Sequence, residues 1–147
     1  VALPGDRLAS GSHDGTIKFW ALETGECVRT FQCGSRVHAI ALLPSGQLAS
    51  GGLDGKISLW DSETGECLRT MEHGDTIWAL VTLPQGLASG AEDWSIRLWS
   101  LETGQCLGIL EGHHAGVNAL AALPGRMLAS GSIDCTIKIW TPDNGEC

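Results

Sequence analysis

Four tryptophans, Trp20, Trp60, Trp99 and Trp140, fall 40, 39 and 41 residues apart in a chain of 147. A period of that length constrains folding more than any composition does, because each unit is a small supersecondary element that buries its apolar face only against its neighbours. In register, the copies read "LASGSHDGTIKFW" at 8–20, "LASGGLDGKISLW" at 48–60, "LASGAEDWSIRLW" at 87–99 and "LASGSIDCTIKIW" at 128–140. Each holds an alternating apolar run, a turn around an aspartate and a second apolar run, which is the pattern of a β-hairpin. The segments "ETGEC" at 23–27 and 63–67, "ETGQC" at 102–106 and "DNGEC" at 143–147 place a glycine where a three-residue hairpin loop takes a left-handed residue. A third connection carries Pro4, Pro44, Pro84 or Pro124, which presets the φ of a turn. Each period therefore predicts four short strands and no helix, an all-β chain.

The stretch "SGSHDG" at 10–15 contains the side chains of a hydrolytic triad, Ser10, His13 and Asp14. The copies argue against catalysis. Ser10, Ser50, Ser89 and Ser130 persist, as do Asp14, Asp54, Asp93 and Asp134, whereas His13 is replaced by Leu53, Glu92 and Ile133. A triad also needs groups converging from separate segments beside an oxyanion pocket. "GGLDGK" at 51–56 is no phosphate loop, since its spacing is short and its lysine enters a strand rather than a helix. His113-His114 and the cysteines lack zinc-ligand spacing. No catalytic residue, metal or cofactor is expected.

Cys27, Cys67, Cys106 and Cys147 keep the tryptophan spacing and so mark a repeated packing position, with Cys33 and Cys135 outside the series. They are expected to be reduced thiols of an intracellular protein, cytoplasmic or nuclear. The net charge of -8 has the wrong sign for a nucleic-acid or anionic-membrane partner. Neither a membrane span nor a signal peptide is expected.

Taken together, the LASGS-like strand, the turn aspartate, the tryptophan closing the third strand and Gly112-His113 ahead of "GVNALAAL" resemble the WD-repeat β-propeller family, over essentially all 147 positions. The family's dipeptide itself survives only at Trp60-Asp61; Ala21, Ser100 and Thr141 follow the other tryptophans. The resemblance implies a ring of roughly six to eight four-stranded blades, of which this chain supplies about four: 1–32, 33–72, 73–111, and 112–147 lacking its outer strand. By that register the chain is about 14 residues short of four whole repeats, beginning near the end of an inner strand. It is expected to be a segment of a longer WD-repeat protein, a half-ring that pairs into a closed homo-oligomer, or a four-bladed monomer. The resemblance also implies a buried hydrogen-bonded tetrad in each blade. His73, Ser89, Asp93 and Trp99 match one full set, and His113, Ser130, Asp134 and Trp140 another. Cys33 takes the histidine position beside Ser50, Asp54 and Trp60, and the copy with Ser10, Asp14 and Trp20 starts too late to contain a histidine.

Function is then expected where the copies disagree, on one face bearing the loops into the inner strands and the aspartate turns. The divergent positions are Arg36, Thr76 and Gly116; His38, Trp78 and Asn118; and His13, Leu53, Glu92 and Ile133. Trp78 and Trp94 stand outside the periodic four, and aromatics and arginine anchor interfaces. Arg36, His38, Trp78, Trp94, Glu92 and His13 are the candidate partner-binding residues, for a protein or peptide of basic or mixed charge. The alternatives are a purely architectural array and a propeller enzyme with polar groups at the channel mouth.

Overall fold

The computed structural model describes residues 1–141; the expected last hairpin glycine, Cys147 and the end of the fourth unit lie outside the described residues. Four antiparallel sheets follow one another along the chain, each with its strands in sequence order. The first holds β1 (Ala2–Leu3), β2 (Arg7–Gly11), β3 (Thr16–Ala21) and β4 (Cys27–Gln32). The second holds β5 (Val37–Leu42), β6 (Leu48–Gly52), β7 (Lys56–Trp60) and β8 (Cys67–Glu72). The third holds β9 (Ile77–Leu83), β10 (Gly86–Ala91), β11 (Ile96–Trp99) and β12 (Cys106–Leu110). The fourth holds β13 (Val117–Ala122), β14 (Leu128–Ser132) and β15 (Ile137–Trp140). The described residues include no α-helix, and one 3-10 turn spans Pro124–Arg126.

The outer hairpins differ from the three-residue expectation. Ala21 N–H donates to the Glu26 carbonyl at 3.0 Å, and Gly25 N–H returns to Ala21 at 2.8 Å, so Leu22 to Gly25 are all looped out. The glycine is nevertheless left-handed, with φ of 71° at Gly25. Asp61, the aspartate of the one Trp-Asp dipeptide, caps the same loop in the second sheet, accepting from Glu63 N at 2.9 Å and Thr64 N at 2.7 Å.

The sheets pack face to face, and the core is divided among the three junctions. Ala9, Ile17, Phe19 and Phe31 of the first sheet meet Val37, Leu48 and Trp60 of the second. Ala49, Ile57, Leu59 and Met71 meet Ile77, Leu87 and Trp99. Ala88, Ile96, Leu98 and Leu110 meet Val117, Leu128 and Trp140. Each fully buried valine, leucine, isoleucine, phenylalanine or methionine among them contributes about 1.5–3 kcal/mol. The glycine of each of the first three LASG strands is the hole for the next sheet's knob. A Cβ on Gly11, Gly51 or Gly90 would stand 2.5 Å from Val37, 2.7 Å from Ile77 or 2.7 Å from Val117. At the rim an arginine staples two of the junctions. Arg29 donates to the Ser62 carbonyl at 2.8 Å and to that of Glu63, and Arg69 to that of Glu102 at 3.0 Å. Gly108 pairs with Leu98 as Arg29 pairs with Phe19 and Arg69 with Leu59, so the third junction lacks this staple.

Candidate functional site

Beneath the variable face lies a polar relay repeated in every sheet. Pairing of Leu8 with Trp20 places Ser10, two residues along, on the same side of the sheet as the indole. The indole N–H therefore donates to the serine hydroxyl at 2.8 Å in all four copies: Trp20 to Ser10, Trp60 to Ser50, Trp99 to Ser89 and Trp140 to Ser130.

In the fourth sheet the relay continues, with Ser130 Oγ 2.7 Å from His113 Nε2 and His113 Nδ1 2.8 Å from Asp134 Oδ2. The order that satisfies every group is indole to hydroxyl, hydroxyl to Nε2, and Nδ1–H to carboxylate. The third sheet uses the ring the other way round and adds a member. Ser89 Oγ lies 2.7 Å from His73 Nδ1, and Nε2 lies 3.2 Å from Ser95 Oγ, which donates to Asp93 Oδ1 at 2.8 Å. Burial lowers the His73 pKa below its ordinary value, against the opposing pull of Asp93, so this imidazole is held neutral. Partial burial opposes ionisation of Asp93, yet the Ser95 hydroxyl and N–H hold its carboxyl below the usual range. For Asp134, the Thr136 hydroxyl outweighs the cost of burial and, with His114 N–H and His113, holds the carboxyl far below that range.

The first two sheets do not complete the relay, and their aspartates stand apart from it. Asp14 and Asp54 are exposed and cap their own turns, Asp14 accepting from Thr16 N and Oγ1 at 2.9 and 2.7 Å and Asp54 from Lys56 N at 3.2 Å. The aspartates that meet an imidazole differ in cover, the Asp134 side chain being 9% exposed and that of Asp93 28%. Ser10 and Trp20 are only half-buried, because among the described residues no sheet packs on their side. In the second sheet Cys33 is half-buried, and burial pushes its thiol up to about 11, leaving it protonated and inert. Lys56 stands where Ser95 and Thr136 extend the relay. A cavity of about 10 Å³, lined by Cys33, Ser50, Asp54, Lys56 and Ser58 among others, remains beside them.

Above these relays, backbone bonds tie three of the variable turns to the loop leading into their own inner strand. Leu53 N–H donates to Arg36 at 3.1 Å, Glu92 N–H to Thr76 at 2.9 Å and Ile133 N–H to Gly116 at 2.9 Å. These bonds gather the divergent positions at one end of the sheets. Four of the six candidates form a continuous row there. The His13 ring lies 4.9 Å from that of His38, which stacks on Trp78 at 4.5 Å with 6° between the planes. Trp78 Nε1–H donates to Glu92 Oε2 at 2.6 Å. The row thus crosses from the first sheet through the second to the third. Burial lowers the His38 pKa, and the neighbouring His13 and Arg36 lower it further, although a backbone contact from Ile77 opposes them. Its Nδ1 is buried without a partner. Arg36 is exposed and lines, with His13, Asp14 and Leu53, an open groove of about 390 Å³.

Trp94 sits on the same turn as Glu92, 52% exposed. Its φ is 71°, matching Gly15 at 80°, Gly55 at 70° and Cys135 at 66°. An indole at a position built for glycine costs backbone energy, and such strain is kept where other requirements outweigh it. The row itself was hidden in the sequence, apart from one signal. His38 and Trp78 are one period apart, and so occupy the same rung of neighbouring sheets.

Successive antiparallel sheets, three of four strands and one of three among the described residues, each pinned by an indole–hydroxyl bond and packed face to face, are the blades of a β-propeller. The chain belongs to the family of WD domain, G-beta repeats, which matches residues 3–21, 25–61, 65–100 and 104–141. Each full match is offset from a sheet, so that 25–61 supplies β4 of one blade and β5 to β7 of the next. Relatives match over about one repeat. A ribosome biogenesis protein BOP1 homolog of Oryza sativa subsp. japonica is 49% identical over 41 residues, 28% of this chain and 6% of that protein. The homolog of Caenorhabditis elegans is 43% identical over 37 residues, 25% of this chain and 6% of that protein. Ribosome biogenesis protein BOP1 of Mus musculus is 46% identical over 41 residues, 28% of this chain and 6% of that protein. No helix among the described residues is long and apolar enough to cross a membrane, and no group of three or more metal-ligating side chains occurs among them.

Proposed function

We propose that this chain is part of a non-enzymatic, intracellular interaction scaffold, a stretch of a larger WD-repeat protein whose variable face holds a peptide or protein segment. The observation that carries the reading is the row His13, His38, Trp78 and Glu92. It is assembled from three blades at the end where the repeats diverge, while the residues common to the repeats are spent on the relays and junctions. The exposed Trp94 and Arg36 flank this row and supply further anchors. The relays are structural in this reading, and the blade bounds 1–32, 33–72, 73–111 and 112–147 are its units. The repeat-length match to ribosome biogenesis proteins makes ribosome biogenesis the first place to look for the partner.

Selection of a displayed random-peptide library against the whole chain tests this. Selected peptides are expected to lose binding to a Trp94→Ala, Arg36→Ala double variant whose thermal melt is not lowered, and to keep it in a Leu68→Ser variant of the outer strand. Peptides that bind both variants equally would refute the face as the site.

A further inference from the structure

We infer that the Trp78–Glu92 pair is a subsite for an arginine side chain of the bound segment. This rests on the scaffold reading and names the chemistry of one position within it.

Glu92 is exposed, and no lysine or arginine among the described residues pairs with it. Its carboxylate is nonetheless fixed, because Oε2 accepts the indole N–H of Trp78 at 2.6 Å. The indole is fixed in turn by the parallel imidazole of His38, 4.5 Å away. Gly116 of the next blade leaves the carboxylate its room: a Cβ there would stand 2.8 Å from Oε2. In the sister copies the turn position of Glu92 holds His13, Leu53 or Ile133, and no other copy pairs a carboxylate with an indole.

A positioned carboxylate beside a layered pair of aromatic rings matches one side chain best. A guanidinium forms charge-assisted hydrogen bonds to the carboxylate, and its plane continues the layering of the rings. An ammonium gains the charge but not the layering. A carboxylate is repelled, and a purely apolar group leaves Glu92 stripped of water without a partner. The overall charge of -8 favours approach of a cation.

The test is titration of the whole chain, labelled with nitrogen-15, with the peptide acetyl-Gly-Gly-Arg-Gly-Gly-amide and its Lys and Glu counterparts at low salt. The readout is the Trp78 indole N–H resonance, assigned by Trp78→Phe. The arginine peptide is expected to move it saturably, the lysine peptide more weakly and the glutamate peptide not at all. Glu92→Gln keeps the indole acceptor but is expected to weaken arginine binding about tenfold, the worth of a charge-assisted bond. Equal responses to arginine and glutamate, no response to arginine, or an arginine response undiminished in Glu92→Gln would overturn the inference. Library-selected peptides that occupy the face without needing a basic residue would sink this inference and leave the scaffold reading standing. A library yielding no binder to the face would sink the scaffold reading, whatever the titration shows.

Discussion

Ile57 and Ile137 hold the same place in the second and fourth copies of the repeat, and one is 0% exposed while the other is 79% exposed. Leu59 at 4% and Ile139 at 45% repeat the contrast. The hole follows the same pattern. Gly51 receives Ile77 of the next blade, whereas a Cβ on Gly131 would meet only Ala119 of its own blade, at 3.5 Å. An apolar hollow of about 210 Å³ lies there, lined by Ala119, Ala121, Ala129 and Ile137 among others. Yet the relay of the fourth blade is closed, from Trp140 through Ser130 and His113 to Asp134, while that of the second stops at Ser50. The two blades therefore separate two sources of stability. The relay is internal to a blade and depends on its own sequence; apolar burial belongs to a junction and depends on the neighbour. The fourth blade thus leaves exposed, at Ile137 and Ile139, the positions that the second buries at Ile57 and Leu59.

The largest effect that can break this comparison is on packing. Ile57→Ala is expected to cost about 2–5 kcal/mol in denaturant melts, and Ile137→Ala no more than about 0.5 kcal/mol. A comparable loss at Ile137 would show that something covers the fourth blade in solution, and its dependence on protein concentration would say whether that is a second copy.

Next come the relays. Ser89→Ala and Ser130→Ala each strip a partner from a buried indole and a buried imidazole, and are expected to cost about 1–3 kcal/mol. Ser50→Ala, with no imidazole to strand, is expected to cost less. Equal losses at all three would erase the distinction between complete and truncated relays. Asp134→Ala is expected to lower the melting midpoint, whereas Asp54→Ala, at an exposed turn, leaves it nearly unchanged.

Trp94→Gly sharpens the line between fold and face. Relief of the left-handed backbone is expected to raise stability by about 1 kcal/mol, while binding of selected peptides falls. A loss of stability would make Trp94 a packing residue.

The smallest effect is the dependence on pH. The fold holds His73 neutral, its pKa lowered from the ordinary 6.5, so its contribution is complete above that value. As pH falls below it, the unfolded chain takes up a proton that the folded ring refuses, and stability declines. Asp134 and Asp93 are held ionised, and their contribution is lost as pH falls below the ordinary 3.8. Urea midpoints at pH 7.5, 5 and 3 are expected to decline in those two stages, and His73→Gln should diminish the first, leaving the share of His38. A midpoint that rises between pH 7.5 and 5 would contradict the buried neutral imidazole.

Much of this architecture was legible in the sequence because the repeat states it four times. The bond between Ser89 and Trp99 was implied by the resemblance to the WD-repeat family, and the pairing of Leu87 with Trp99 accounts for it by setting serine and indole on one side of the sheet. Which copies hold a histidine could be read at residues 33, 73 and 113, whereas the second hydroxyl at Ser95 or Thr136 carried no signal. The rim staples of Arg29 and Arg69 went unseen: an arginine at i and a carbonyl some 33 residues on carry no pattern without the curvature that brings them together. The six face residues could be chosen because they break the repeat. Their joining into a row could not be read, because it runs across blades, at right angles to the chain.

Amide hydrogen exchange of the whole chain, with and without a saturating selected peptide, tests the central claim most directly. The claim is that repeated residues build the scaffold and divergent ones recognise the partner. Protection is expected at 34–38, 75–78 and 91–94, with β4, β8 and β12 unchanged. Protection confined to those outer strands, or to the turns at Pro4, Pro44, Pro84 and Pro124, would contradict it.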